Sequence, residues 1–442
     1  MKKILLLTYY FPPVGGSGVH RPWAMARYLP EYGYEPIVIT AGKEWHAKKM
    51  WNVEAGQAPH VRILRTGPDL ALRISQRLER WRRFLRQVAR ILDPRGLWAI
   101  SAIEAAKNVI KNESIDGIVS TSPPYAVALA AYRLKVKMGL PWMADFRDPW
   151  AFATSESWLA GIGYLLDRFV QSSVFRTADT VVVNTRTCYC EWTRSAPLQA
   201  RGKGTWITNG FKPPPALPTS DNRGSFRIVH AGVFYYTADG GNAIGRLCRR
   251  FCRLLSYRRD DVDRSVQSAG FLLRAIRHAL DGKEDMKGHL EVLLVGKLAE
   301  DDRRLIKELR LENVVITTGQ LPWQEAAKHI ARADVLYLPF WHSRTGRPIP
   351  RIPSKVYQYI GSYVPTLAVI GSGETREILV EAGIGKFCRN GDVNQLAAQI
   401  TELYLEHEDT GIRIEPDRSF VEGFRWEIIV ARLSEVLNEA TV

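Results

Sequence analysis

The chain has 442 residues, 46% hydrophobic and 24% charged, with 61 Lys and Arg against 46 Asp and Glu for a formal charge of +15. This composition excludes a disordered chain, a collagen and a coiled-coil rod, and the length suits two or three domains, each able to bury its own core. Five cysteines are too few for a disulfide framework, and no apolar run approaches the roughly 18 residues of a membrane span.

Strand-like and helix-like stretches alternate from the start. Lys3–Thr8 is an apolar run too short for a signal peptide, with no small-residue cleavage site after it. A cytoplasmic location follows, with peripheral attachment to the inner face of the cell membrane as a further expectation. Tyr9-Tyr-Phe-Pro-Pro-Val-Gly-Gly-Ser-Gly18 ends this strand, and His20-Arg21 opens a helix over 18–31. Backbone N–H groups of Gly15, Gly16, Ser17 and Gly18 can approach a phosphate or a sugar there, and Arg21 can add a full charge.

Residues 35–40 and 61–66 read as buried strands, followed by helical stretches at 70–92 and 97–112. The first is strongly basic. Residues 73–95 hold eight Arg against Glu79 and Asp93. Ile74, Leu78, Trp81, Leu85, Val88 and Leu92 recur at helical spacing, so 74–92 predicts a basic amphipathic helix. Such a helix either lies on an anionic membrane surface or packs on its own domain with a solvated Arg face. No recognition motif accompanies the Arg residues, so nucleic acid is not expected as a partner.

Strands at 114–120, 140–145, 179–183 and 205–207 follow, separated by helices near 124–138, 156–177 and 185–195. Asp145-Phe-Arg-Asp148 lies at one strand end. Asp145, Arg147 and Asp148 are candidates to hold sugar hydroxyls or take a proton from one. The alternative is an Arg–Asp pair that fixes the loop. Residues 209–224 carry four prolines and read as a linker. The alternation then restarts, with strands at 225–231, 290–295, 313–318, 334–338, 364–370 and 384–388. The fold class is therefore α/β, with two doubly wound Rossmann-like parallel sheets over 1–208 and 225–415. Residues 416–442 carry a C-terminal helix expected to cross back to the first domain.

In the second half, Thr345-Gly-Arg347-Pro-Ile-Pro-Arg351-Ile-Pro-Ser354-Lys355 stays extended until a helix opens near Pro353. Arg347, Arg351, Ser354 and Lys355 there suit a pyrophosphate. Residues 246–259 form another basic patch, within a segment 240–268 that reads as an insertion. Asp261-Val-Asp263 reads as solvated surface rather than a metal motif. There is no Ser-His-Asp signature and no His-Glu-x-x-His, and no metal site is expected.

The order of the motifs resembles the two-domain GT-B glycosyltransferases, specifically the retaining family 4. The matching stretches are Phe11-Pro-Pro with Gly15-Gly-Ser-Gly18, Thr121-Ser-Pro-Pro124, Asp145-Phe-Arg-Asp-Pro-Trp150 and Ile207-Thr-Asn-Gly-Phe211. Gly319-Gln-Leu-Pro322, Ala333-Asp-Val-Leu-Tyr-Leu-Pro339 and Ile352-Pro-Ser-Lys-Val-Tyr-Gln-Tyr-Ile360 follow in the second half. The resemblance implies two domains facing a central cleft, with the nucleotide-sugar donor held mainly by the second and the acceptor by the first. It implies no metal and no cofactor beyond the nucleotide-diphosphate-sugar co-substrate. Gly319 and Leu321 would offer backbone contacts to the base. Pro350 and Gln358 stand where typical members have two Glu, and Gln358 can still hydrogen-bond a hydroxyl. Lys355, Arg351 or Arg347 would neutralise the diphosphate. The expected function is retaining transfer of a sugar to a glycan or lipid-linked acceptor in cell-surface polysaccharide or glycolipid synthesis. The alternatives are a nucleotide-sugar epimerase or hydrolase on the same scaffold, or a non-catalytic basic membrane-surface protein.

Overall fold

The computed structural model describes residues 1–46, 61–67, 69–151, 158, 161–214, 224–234, 257, 262–388 and 392–441. Linker residues 215–223 and all of the basic patch 246–259 except Tyr257 lie outside the described residues. The described chain divides into two compact units. One takes Met1–Gly210, Tyr257 and the segment from Trp426 onward; the other takes the rest of the described residues between Phe211 and Arg425.

The first unit is a seven-stranded, wholly parallel sheet. Its strands are β1 (Lys2–Thr8), β2 (Tyr34–Ala41), β3 (Arg62–Thr66), β4 (Gly117–Ser122), β5 (Trp142–Phe146), β6 (Thr180–Val183) and β7 (Gly204–Trp206), in the spatial order β3-β2-β1-β4-β5-β6-β7. Helices α1 (His20–Tyr28), α2 (Leu70–Leu78), α3 (Arg82–Val88), α4 (Trp98–Asn112), α5 (Ala126–Met138), α6 (Gly161–Thr177) and α7 (Arg186–Ser195) connect them. Side chains alternate across a strand, so the unbroken apolar run of β1 feeds two cores. Leu5 and Leu7 join Ile37, Ile39, Trp98 and Ala102 on one face. Ile4 and Leu6 join Val38, Val119 and Met143 on the other. That second face is covered by the last helix, Trp426–Ala440, through Ile429, Val430, Leu433 and Leu437.

The second unit holds β8 (Phe226–Ala231), β10 (Leu290–Val295), β11 (Val315–Gly319), β12 (Val335–Pro339), β14 (Thr366–Val369) and β15 (Gly385–Cys388), parallel in the order β11-β10-β8-β12-β14-β15. Short strands β9 (Val262–Asp263) and β13 (His342–Ser343) form an antiparallel ribbon beside it. Its helices are α8 (Ala269–Gly282), α9 (Glu300–Glu308), α10 (Trp323–Ala331), α11 (Ser354–Ile360), α12 (Glu374–Glu381), α13 (Val393–Asp409) and α14 (Arg418–Glu422), so Trp426–Ala440 is α15. The same two-faced packing recurs. Ile228, Val292 and Leu294 enter one core, and Val229, Leu293 and Val295 the other. The expected pair of doubly wound parallel sheets is therefore present.

Two sequence expectations change. The single helix over 74–92 is two helices, with 3₁₀ turns at Glu79–Trp81 and Arg90–Leu92. The break at Ala89 has a cause in α6. The carboxylate of Asp167 accepts from the backbone N–H of Arg90 at 2.6 Å and of Ile91 at 3.0 Å, taking donors that would continue the helical ladder. Second, Asp263 is not plain solvated loop. It pairs in the ribbon, where its carboxylate lies 3.8 Å from Arg344.

Candidate functional site

In an open α/β sheet, ligands bind outside the carboxyl ends of the strands, where the strand order reverses. In the first unit that point lies between β1 and β4. The loop leaving β1 is held from below. Arg147, just past β5, donates to the carbonyls of Gly18, Ser122 and Pro123, the last at 2.6 Å. A Cβ on Gly18 would stand 2.9 Å from the Arg147 guanidinium, so a larger residue there would push against this clasp. Burial pushes the Arg147 guanidinium below its ordinary range.

Arg21 and Asp145 are brought together. The Arg21 guanidinium meets both carboxylate oxygens of Asp145 at 2.8–3.1 Å and donates to the Thr208 carbonyl at 2.6 Å. Thr121 donates to Asp145 at 2.7 Å, and both members of the pair are buried. This is a bidentate, fully enclosed ion pair tying α1 to the ends of β4 and β5. Asp148 is half-buried, while Gly16 and Ser17 are exposed at the loop tip. Gly16 has φ +107° with open space around it. The groups of this unit positioned to meet a ligand are thus the loop tip and Asp148.

In the second unit the order reverses between β8 and β12. Three glycines with positive φ end three adjacent strands: Gly232 after β8, Gly296 after β10 and Gly319 in β11. Gly232 donates to the Val295 carbonyl at 2.7 Å, and a Cβ on Gly296 would collide with the Gly232 carbonyl. This edge is backbone without side chains, so a ligand can approach it closely.

Lys355, in the first turn of α11, reaches into it. Its Nζ would stand 2.7 Å from a Cβ on Gly232 and lies 3.3 Å from His230 Nε2. His230 Nδ1 is 3.0 Å from the Tyr337 carbonyl. A carbonyl only accepts, so Nδ1 carries the proton and Nε2 offers a lone pair to the ammonium. Burial and the Lys355 charge hold His230 well below its ordinary pKa, hence neutral. Lys355 has no carboxylate partner among the described residues, and desolvation lowers its pKa to about 7. Tyr359 supports the same floor: its hydroxyl accepts from the Ala231 N–H at 3.0 Å.

The other expected residues spread around this edge. Leu321, Ser354 and Gln358 are half-buried, and Arg347 is exposed. The Arg351 guanidinium lies over the Trp341 ring at 5.4 Å, with Arg264 over the same ring at 4.5 Å. The loop after β12 approaches the turn after β14, since a Cβ on Gly373 would lie 3.7 Å from Pro348. That turn delivers a buried carboxylate, Glu374, to the start of α12. Sequence reading singled out neither His230 nor Glu374. His230 sits inside an ordinary strand pattern, and only its register opposite Lys355, 125 residues away, reveals it.

Residues 261–406 match the family model Glycosyl transferases group 1, so most of the second unit carries a glycosyltransferase sequence signature. No characterised protein matches the chain by sequence. Among solved structures, the chain superposes on the sucrose-phosphate synthase of Thermosynechococcus elongatus with a TM-score of 0.62 at 15% identity, over 99% of this chain and 98% of that one. It superposes on the Anabaena Alr3699/HepE protein in complex with UDP-glucose with a TM-score of 0.58 at 15% identity, over 99% and 100%. The UDP-GlcNAc 2-epimerase of Methanocaldococcus jannaschii gives 0.53 at 10% identity, over 99% of each chain. At these identities the likeness is one of fold, and the fold is GT-B.

Proposed function

We propose that this chain is a glycosyltransferase that takes its sugar from a nucleotide-diphosphate-sugar and holds the donor mainly through its second unit. The observation that carries the reading is Lys355: a lysine with no carboxylate partner among the described residues, set beside three strand ends that are backbone only, inside the segment with the glycosyltransferase signature. That site asks for an anion. A diphosphate supplies it, with the glycine edge letting it come close to the backbone and Gly319 and Leu321 offered to the base.

In this reading Lys355 neutralises the charge that grows on the diphosphate as the glycosidic bond breaks, with Arg347, Arg351 and Ser354 around it. No divalent metal and no further cofactor are required. Gln358 and Glu374 suit donor hydroxyls. In the first unit, the loop tip at Gly16 and Ser17 and Asp148 contact the sugar or the acceptor, with Gly15 buried and Gly18 clasped behind them, while Arg21, Asp145 and Arg147 position that loop rather than exchange protons. The reaction is a front-face displacement with retention, in which the protein contributes positioning and electrostatics. The acceptor is a glycan or a lipid-linked glycan of cell-surface polysaccharide or glycolipid synthesis, made at the cytoplasmic face. A lipid-linked acceptor brings the enzyme to an anionic membrane surface, which the Arg-rich segment 74–92 suits.

Calorimetric titration with UDP, GDP, ADP and dTDP tests the donor assignment. One of them should bind the wild type and lose affinity in Lys355→Ala; uniform silence across the panel would refute it. Activity in excess EDTA tests the metal. The epimerase likeness supplies the second reading. An enzyme of that kind converts UDP-GlcNAc with no acceptor present, whereas a transferase leaves it unchanged until an acceptor is added.

A further inference from the structure

The stretch 240–268 reads as an insertion, and its end, 262–267, is tied residue by residue to the loop after β12. Val262 and Asp263 pair with Ser343 and His342 in the ribbon. The Asp263 carboxylate accepts from the Ser265 N–H at 2.9 Å and stands 3.8 Å from the Arg344 guanidinium. Gln267 accepts from Trp341 Nε1, and the Arg264 guanidinium lies 4.5 Å from the centre of the Trp341 ring. Arg351, further along the same loop, lies 5.4 Å from that centre. Trp341 is thus a platform that gathers two guanidinium groups, one from each segment.

A guanidinium lying over an aromatic ring keeps its in-plane N–H groups for oxygen acceptors and has little freedom left to lose when one binds. Two like charges on one ring repel, and an anion between them relieves the repulsion. The stretch 340–355 holds Arg344, Arg347, Arg351 and Lys355 and no Asp or Glu. Ser343 Oγ accepts from the Arg347 N–H at 2.9 Å, so the turn that carries Arg347 is fixed to the ribbon as well. Carboxylates suit sugar hydroxyls as acceptors. Yet the two positions where Glu is typical hold Pro350 and Gln358, with Arg347 and Arg351 flanking the first. Glu374, the buried acid that the turn after β14 brings toward this loop, is already accounted for by donor hydroxyls. Lys355 answers the diphosphate, and the paired guanidinium groups call for a further anion.

We infer that the donor sugar is itself anionic, a hexuronate whose carboxylate is taken by Arg264 and Arg351 on the Trp341 platform. A carboxylate matches the planar fork of a guanidinium, two oxygens to two N–H donors. Trp341 and Gln267 are positioning residues that act through the pair: the indole carries both cations, and Gln267 fixes the indole. This rests on the chain's being a nucleotide-sugar glycosyltransferase, and it narrows the donor to the acidic sugars.

The test is calorimetric titration of the full chain with matched donors: UDP-glucuronate against UDP-glucose, and UDP-galacturonate against UDP-galactose. GDP, ADP or dTDP replaces UDP in these pairs if that is the nucleotide bound. An acidic donor should bind about tenfold or more tighter than its neutral partner, the worth of one hydrogen-bonded charge pair. Arg264→Gln and Arg351→Gln should each bring that ratio down to about two or less. Trp341→Leu should do the same, whereas Trp341→Phe, which keeps a ring face without the indole N–H, should restore most of it. Arg344→Gln removes an equal charge from the same loop and should leave the ratio as in wild type. A wild type that binds the neutral donor as tightly as the acidic one overturns the inference. So does a ratio that survives Arg264→Gln and Arg351→Gln, or one that Arg344→Gln abolishes, since the field of the whole loop would then be its cause. If a nucleoside diphosphate binds through Lys355 and only the acidic preference is missing, the donor assignment stands and the hexuronate falls alone. Silence toward every nucleoside diphosphate sinks both.

Discussion

The two units treat the cations at their strand ends in opposite ways. In the first, Arg21 is neutralised within the fold by Asp145, and Arg147 by three backbone carbonyls. In the second, Lys355 has a neutral imidazole for its neighbour and no carboxylate among the described residues. A charge satisfied inside the fold holds architecture together. A charge set beside a neutral acceptor and a glycine edge is complete only when an anion arrives. The two classes look alike in the sequence, and only their partners separate them.

The sharpest way to break this contrast is in the first unit. Asp145→Ala leaves Arg21 as a buried unpaired charge and should cost about 3–5 kcal/mol of stability. Calorimetry should show this as a fall of about 6–20 °C in melting temperature for that unit. Lys355→Ala should do the reverse: turnover falls on the order of 10²-fold, equivalent to about 3 kcal/mol, in steady-state assays, while the melting temperature does not fall. An equal loss of stability in both variants would erase the distinction.

His230→Phe removes the acceptor for Lys355 but keeps the ring stacked on Phe234. Affinity for the nucleoside diphosphate should drop about tenfold by titration, the worth of one hydrogen bond to the Lys355 ammonium. Smaller still is the pH response. With a pKa of about 7, Lys355 is charged below neutrality and loses its proton above it. Diphosphate affinity should weaken a few-fold from about pH 6 to pH 9, and this slope should vanish in Lys355→Ala. Stability runs the other way. The unfolded lysine keeps its proton to about pH 10.5 while the folded one releases it above about 7, so this group makes stability rise with pH between those values. Lys355→Met should flatten that rise in melts taken across the window.

Periodicity was enough to read the two sheets and nearly every strand, because buried parallel strands are short apolar runs between turns. Strand edges moved by a few residues, as at 114–120, where the strand proper is Gly117–Ser122. What local pattern could not supply were pairings made across the fold. Arg21 and Asp145 are 124 residues apart, and their mutual saturation is invisible until the strands are in register. The same holds for His230 beneath Lys355, and for Asp167 ending a helix it does not belong to. Lys355 was legible because it opens a helix straight after a Pro-restrained loop beyond a strand. The direction of its side chain was not.

The last helix gives the chain an order of assembly. Trp426–Ala440 covers the face of β1 through Ile429, Val430, Leu433 and Leu437, and Lys2 Nζ reaches Thr441 at 3.2 Å. Strand β1 is therefore sealed in part by a helix made only after the whole second unit. At about 5–20 residues per second, a ribosome takes roughly 10–40 s to travel from the end of the first unit's main segment to that helix. Throughout that interval Ile4, Leu6, Val38 and Val119 have only α1 over them, through Ala24, Met25 and their neighbours, and the second unit, contiguous in the chain, can finish first. The nascent first unit is thus an aggregation-prone intermediate by construction. A stop codon shortly before Trp426 would leave it in that condition permanently.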